Sequence, residues 1–277
     1  MDKKILLIND MPGYGKVALP AMVPILTHMK YEVFSLPTAL VSNTLDYGKF
    51  AILETTDYMK QAIGVWQQLG FSFSAIVTGF IFSRAQADVV AALCKEQKQH
   101  GVQVFMDPIM GDEGRLYNGV GEETITYLRD LAGLAEYIMP NYTEAAFLAG
   151  MPCRHDSISE DEARQLMDAL RQVCPKSILI TSVHTEGSYA VLGYDHSRNT
   201  YFQLPYTHIP VRFPGTGDIF SAILAGQVLQ GHDLEAAAFS AMQSVGSLIT
   251  ANQDTTNVIP GIPVEQCLNL VQEISNI

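Results

Sequence analysis

Phe213-Pro214-Gly215-Thr216-Gly217-Asp218-Ile219-Phe220 runs directly into the apolar stretch Ser221-Ala222-Ile223-Leu224-Ala225-Gly226. Pro214 and the two glycines forbid a helix before this point. After it, Ile219, Phe220, Ile223 and Leu224 recur at helical spacing. A Gly-rich turn that opens a helix directs several backbone N–H groups outward at the positive end of the helix dipole, which makes an anion site. Asp218 is awkward there, because a carboxylate repels a resting phosphate. It fits if it takes a proton from a hydroxyl while the neighbouring N–H groups hold the phosphoryl group under attack. The plainer alternative is an aspartate that caps the helix.

Outward from this stretch the chain alternates. Strands are predicted over 4–8, 31–36, 74–78, 101–106, 136–139 and 177–181. Helices are predicted over 19–29, 54–69, 84–99, 122–131 and 143–149, and from the S-x-x-E capping box at Ser159 to 173. Residues 37–50 read as a polar loop. Residues 187–193 and 200–205 read as an antiparallel hairpin, and 218–252 and 263–277 as helical. This order predicts an α/β fold, a mostly parallel central sheet flanked by helices on both faces, with an antiparallel edge hairpin. No repeat or linker interrupts it, so residues 1–277 are expected to form a single domain.

Polar residues follow the ends of five of these strands: Asn9-Asp10, Thr78-Gly79, Asp107, Pro140-Asn141 and Thr181-Ser182. In open α/β sheets that edge is where ligands bind. Asp107-Pro108-Ile109-Met110-Gly111-Asp112-Glu113-Gly114 places three acids in a Gly-containing loop. Such a loop is either a solvated turn or a site for hydrated Mg²⁺ that also touches phosphates. Asn141 and Glu144 lie one helical turn apart, so Asn141 caps a helix or joins Glu144 at such a site. Gly13-Tyr14-Gly15-Lys16-Val17-Ala18 matches a loose dinucleotide fingerprint, but no acid ends the next strand, where Pro37 stands.

The balance of 17 basic against 29 acidic residues, −12 net, argues against nucleic acid or an anionic membrane as partner. Cys94, Cys153, Cys174 and Cys267 form no C-x-x-C pair, so reduced thiols in a cytoplasmic protein are expected. The short apolar run after Met1-Asp2-Lys3 is not a signal peptide, and no apolar run reaches the ~18 residues of a membrane span.

D-P-I-M-G-D-E-G-x-L-Y, M-P-N-x-x-E-A-x-x-L-x-G, I-T-S and G-T-G-D-I-F, in this order, resemble the pyridoxal/pyridoxamine kinase family of the ribokinase-like superfamily. The likeness extends from the first strand to about residue 251. It implies ATP-dependent phosphorylation of the 5′-hydroxymethyl group of pyridoxal, pyridoxamine or pyridoxine. Mg²⁺, K⁺ as an optional monovalent cation, and a homodimer are implied with it. On the matching positions Asp218 is the implied general base, and Gly215, Thr216 and Gly217 the anion hole. Asp107, Asp112 and Glu144 would serve the magnesium, with Asp107, Glu144, Asn141, Thr181 and Ser182 near ATP. Asp10, Asn43, Phe80 and Tyr117 would contact or cover the pyridine ring.

Two departures stand out. Ser42-Asn43-Thr44-Leu45-Asp46 replaces the common S-N-H-T-G, and Met139 stands where a Thr commonly precedes the Pro-Asn. They bear on substrate preference and monovalent-ion use. The rivals are a hydroxymethylpyrimidine kinase, which usually carries Cys at the position of Asp218, and a non-catalytic vitamer- or nucleotide-binding regulator. A sugar kinase would need a strand-rich insertion early in the chain. A nicotinamide-dependent oxidoreductase would rest on the imperfect glycine fingerprint alone.

Overall fold

The computed structural model describes residues 4–154, 156–272 and 274. The fold is α/β with a mostly parallel central sheet and an antiparallel hairpin at its edge. The chain divides into two compact units. One holds the residues up to Val104 and those from Ile209 onward; the other is Phe105–His208.

In the first unit, β1 (Lys4–Pro12) pairs in parallel with β2 (Glu32–Val41) on one side and with β4 (Ala75–Thr78) on the other. Ile5, Leu6, Leu7 and Ile8 are fully buried. Their unbroken apolar run is the mark of a strand covered on both faces. β3 (Ile52–Glu54) pairs antiparallel with the end of β2. The helices of this unit are α1 (Ala18–His28), α2 (Thr56–Gln68), α3 (Arg84–Lys98), α7 (Thr216–Leu229) and α8 (Leu234–Asn252). Met22, Ile25 and Leu26 of α1 and Ile219, Ile223 and Leu224 of α7 are buried, and Tyr31 donates its hydroxyl to the Gly226 carbonyl at 2.7 Å.

In the second unit the strand order is β11 (Thr200–Tyr206), β10 (Ser188–Asp195), β9 (Ser177–Thr185), β8 (Tyr137–Ile138) and the end of β5 (Gln103–Met106). β5, β8 and β9 are parallel, whereas β9, β10 and β11 are antiparallel. A small hairpin, β6 (Gly111–Asp112) with β7 (Arg115–Leu116), stands apart from this sheet. α4 (Glu123–Ala132), α5 (Tyr142–Ala149) and α6 (Glu160–Val173) complete the unit. The Ser159 hydroxyl and the Glu162 carboxylate form the expected capping box at α6.

Several boundaries differ from expectation, each for a local reason. β2 does not stop at Pro37. Its register against β1 runs from Asn9↔Pro37 to Met11↔Leu40, so β2 spends one extra residue there as a bulge. A bulge is where a strand tolerates a proline, which has no N–H to give the ladder. Glu54 belongs to β3, not to a helix. Thr55 donates its N–H to Thr38 O at 3.3 Å and its hydroxyl to Pro37 O at 2.6 Å, which ties the chain to β2 until α2 begins at Thr56. β9 runs on to Thr185, past the expected end at Thr181.

The C-terminal segment from Pro263 is not one helix. It makes 3-10 turns at Val264–Gln266 and Leu268–Leu270. The Gln272 carbonyl accepts from Gln227 Nε2 at 2.9 Å and Ser240 Oγ at 3.0 Å, and its N–H donates to Ser244 Oγ at 2.9 Å. Side chains of α7 and α8 thus take the backbone groups a helix would have used. The rest of that predicted helix (273 and 275–277), and Met1–Lys3, lie outside the described residues.

Candidate active site

In the first unit the chemistry collects around Asp218. The helix begins two residues earlier than the sequence suggests, with Gly215 as the N-cap at φ 86°. A Cβ at Gly215 would stand 2.6 Å from the Lys16 carbonyl oxygen, so conformation and space both require glycine. Asp218 is therefore in the first turn and is not the cap. Its side chain does not close its own helix: Oδ1 accepts from Asn9 Nδ2 at 2.9 Å and Oδ2 from the Ala18 N–H at 2.8 Å. The first N–H groups of α7 accordingly have no intrahelical acceptor and remain available to an anion.

Asp218 is 7% exposed. Burial lifts its carboxyl to about 6 against the opposing pull of the Ala18 and Asn9 donors. Asp10, half-buried at the next position along β1 from Asn9, is pushed up to about 7 by burial and then by the charge of Asp218. Ala18 holds its N–H on Asp218 from φ 50°, in the left-handed region, which costs a non-glycine residue about 1 kcal/mol.

Phe80 is clamped by its backbone. Its N–H donates to Asn9 Oδ1 at 2.8 Å and its carbonyl accepts from the Thr38 hydroxyl at 2.8 Å. Buried Gln86 extends the clamp, donating to Thr38 O at 2.6 Å and accepting from the Phe82 N–H at 3.0 Å. The β2 bulge thus places Thr38 where it can hold the Phe80 loop. Asn43 turns its carboxamide to its own loop: it accepts from Ser42 Oγ at 2.7 Å and donates to Lys49 O at 2.9 Å. Thr44 is buried and donates to the Ile259 carbonyl at 3.3 Å. Lys16 is ion-paired with Glu265.

In the second unit the acidic loop begins at Asp107, just past β5. Asp107 and Glu144 are 7% and 2% exposed. Glu144 completes a capping box at α5 with Asn141, accepting the Asn141 N–H at 2.9 Å while its own N–H donates to Asn141 Oδ1 at 3.0 Å. Its other oxygen accepts from the Met110 N–H at 3.0 Å. Burial and the charge of Asp107 nevertheless push Glu144 well above the usual carboxylate range. Asn141 Nδ2 donates to the Gly111 carbonyl at 2.8 Å, and Thr143 Oγ1 accepts from the Gly114 N–H at 2.9 Å, so α5 holds the β6–β7 hairpin. Asp112 folds back on that hairpin, its Oδ1 accepting the Glu113 N–H at 2.9 Å. Tyr117 is tied to the same loop through its N–H to Met110 O at 2.9 Å.

Thr181 and Ser182 are not at a strand end. The β9–β10 register steps from Leu192↔Ile180 to Ala190↔Val183, which makes them the bulge of β9, with Ser182 at φ 58°. Thr181 bridges in parallel to Asn141, and its N–H donates to Pro140 O at 2.9 Å. Met139 is buried, and its side chain offers no oxygen where a threonine would offer a hydroxyl. Among the described residues no three His, Cys, Asp or Glu side chains gather as a ready-made metal cage. The Asp107–Glu144 pair fits an ion that keeps most of its ligands from water and phosphate, as Mg²⁺ does. Asn9, Ala18, Thr38, Gln86 and Thr143 carry no role in the sequence reading. Asn9, beside Asp10 at a strand end, and Ala18, closing the loose glycine fingerprint, showed some signal; Thr38, Gln86 and Thr143 showed none.

A model of the phosphomethylpyrimidine kinase family matches residues 13–261. A candidate phosphomethylpyrimidine kinase from Bacteroides thetaiotaomicron, crystallised with pyridoxal, is 33% identical. It superposes with a TM-score of 0.93 over 100% of this chain and 98% of that one. Pyridoxal kinase from Lactobacillus plantarum superposes at 0.87 with 25% identity, over 97% and 96% of the two chains. Pyridoxal kinase from Arabidopsis thaliana is 26% identical over 262 residues, covering 91% of this chain and 82% of the relative.

Proposed function

The chain belongs to the phosphomethylpyrimidine kinase family, and from that premise we propose that it transfers the γ-phosphoryl group of ATP to the 5′-hydroxymethyl group of a B6 vitamer, with Asp218 as general base. The observation that carries the reading is the Asp218 carboxylate: buried, held through both oxygens by groups outside its helix, and lifted to about 6. A carboxylate with that value is mostly ionised at neutral pH and still basic enough to take a proton.

The reaction balances on these residues. The 5′-oxygen forms a bond to the γ-phosphorus while its proton passes to Asp218. The bond from that phosphorus to the β–γ bridging oxygen breaks, and ADP leaves. The N–H groups of Thr216 and Gly217 in the first turn of α7 stabilise the equatorial oxygens. Asp107 and Glu144, with Asp112 nearby in sequence, would hold Mg²⁺, which when bound neutralises phosphate charge. Asn141, Thr181 and Ser182 serve the phosphates of ATP. Asp10 and the clamped Phe80 face the vitamer ring, with Asn43 shaping its loop and Tyr117 covering the ring.

Named pyridoxal kinases among the relatives, and pyridoxal in one similar crystal structure, support the vitamer as acceptor. ADP in a structural neighbour, the pyridoxal kinase of Leishmania donovani, accords with ATP as donor. The family match crosses both compact units, which supports residues 1–277 working as one catalytic domain. No helix among the described residues is long and apolar enough to cross a membrane. A homodimer and a cytoplasmic location complete the reading; light scattering and cell fractionation measure them.

A hydroxymethylpyrimidine is the second candidate acceptor, favoured by the name of the family. An ADP-release assay with Mg-ATP against pyridoxal, pyridoxamine, pyridoxine and hydroxymethylpyrimidine decides between them. The highest kcat/KM is expected on a B6 vitamer. Preference for the pyrimidine would transfer the reading to the second acceptor, and turnover with none would overturn it.

A further inference from the structure

Asn9 is 1% exposed and uses its carboxamide completely. Nδ2 donates to Asp218 Oδ1 at 2.9 Å and lies 3.5 Å from the Met22 sulfur. Oδ1 accepts the Asp10 N–H at 3.0 Å and the Phe80 N–H at 2.8 Å. The two N–H donors fix which end of the carboxamide is oxygen, so the donor end must point at Asp218. The side chain is also held in place by shape. A Cβ at Gly79 would stand 2.4 Å from the Asn9 carboxamide, so a glycine there leaves the room it occupies.

We propose that Asn9 is the positioning residue of this kinase: one buried carboxamide aims the base, keeps it ionised, and couples it to the backbone of Asp10 and Phe80. The inference rests on the kinase reading above. The side-chain hydrogen bonds of Asn9 run to Asp218, Met22 and the backbone of Asp10 and Phe80, so its effect on the reaction passes through Asp218. The groups facing Asp218 are few. From β1 come Asn9 and the carboxylate of Asp10, and from α1 the Ala18 N–H. Burial opposes ionisation of Asp218, and Asn9 and Ala18 favour it; the charge of Asp218 in turn raises Asp10. Of the two favouring groups only Asn9 is a side chain, so it alone can be exchanged without rebuilding the backbone.

Asn9→Asp tests this, because it keeps the acceptor for Asp10 and Phe80 and replaces only the donor, by a second carboxylate that must share a proton with Asp218. The acid limb of kcat/KM is expected to move up by about one pH unit or more, so that the rate below the limb falls about tenfold while the KM for the vitamer changes little. Gly79→Ala is the second variant. It retains every polar group and pushes the carboxamide aside, and it should move the limb in the same direction. The carboxyl titration of Asp218, followed by ¹³C NMR without substrate, reads the same shift independently of turnover.

A folded Asn9→Asp protein whose limb and NMR titration both stay at the wild-type position overturns the proposal and leaves the kinase reading intact. So does loss of activity by the same factor at every pH, since that is what a merely structural role would give. A shifted titration in a protein that phosphorylates none of the acceptors overturns the kinase reading, and the catalytic role of Asn9 with it.

Discussion

Asp218 and Asp10 are two carboxylates on neighbouring elements whose burial disfavours their charged forms, and the consequences can be measured separately. The base must be ionised to accept a proton, so kcat/KM is expected to rise with pH through a limb near 6 and level off above it. A profile flat from pH 5 to 8 would contradict that. Asp218→Asn is expected to lower turnover by about 100-fold or more while ATP still binds, read by kinetics beside nucleotide titration. Asp10 offers the linkage test. Its pKa is about 7 folded and 3.8 as a free side chain, so between these values the folded protein holds a proton that the unfolded chain releases. Stability contributed by this group is therefore lost as pH rises through that window. Asp10→Asn should gain in melting temperature relative to wild type as pH is raised from 4 to 7, and a constant difference would show the group to be unstrained. At Glu144 the same physics concerns the cation. Glu144→Gln removes charge but keeps shape, and should raise the Mg²⁺ needed for half-maximal rate by about tenfold or more.

At the scale of elements, the first unit offers a helix start and the β2 bulge, and the second the β9 bulge and the α5 capping box. Gly215→Ala forces a left-handed φ on a residue with a Cβ and pushes it into the Lys16 carbonyl; it should destabilise the protein by about 1–3 kcal/mol in denaturant melts and weaken phosphate binding. Ser159→Ala, at a cap remote from the chemistry, should cost about 1 kcal/mol with kcat unchanged. The contrast separates glycine as part of the anion loop from ordinary helix capping. Sequence exposes some of these devices and hides others. Gly-x-Gly-Asp before an apolar run announces a helix start, and S-x-x-E announces the α6 cap, because both are local. The bulges at Thr38 and at Thr181-Ser182 are properties of a register between strands, and no pattern within one strand records them. That is also why Asp218 reads equally well as an N-cap. The donors that release it from capping, Asn9 and Ala18, lie 209 and 200 residues away along the chain. Asn43 is a polar residue in a promising loop whose hydrogen bonds stay inside that loop, which no pattern in the sequence records.

At the scale of the whole molecule, alternation of strands and helices was sufficient to read the fold class, because buried parallel strands are continuous apolar runs and their ends collect polar residues. The −12 net charge bears on the proposed chemistry: on that reading backbone amides and a bound cation, rather than an overall positive charge, offset the phosphates of ATP. On the proposed mechanism the chain moves a phosphoryl group onto the 5′-oxygen of a B6 vitamer with Asp218 as the proton acceptor. The most direct measurement is formation of pyridoxal 5′-phosphate from pyridoxal and Mg-ATP, by wild type and Asp218→Asn side by side, at pH 5.5 and 7.5. Product is expected from wild type, faster at pH 7.5, and about 100-fold less or none from the variant at both values. Equal rates from the two proteins, or no 5′-phosphate from either, would contradict that mechanism.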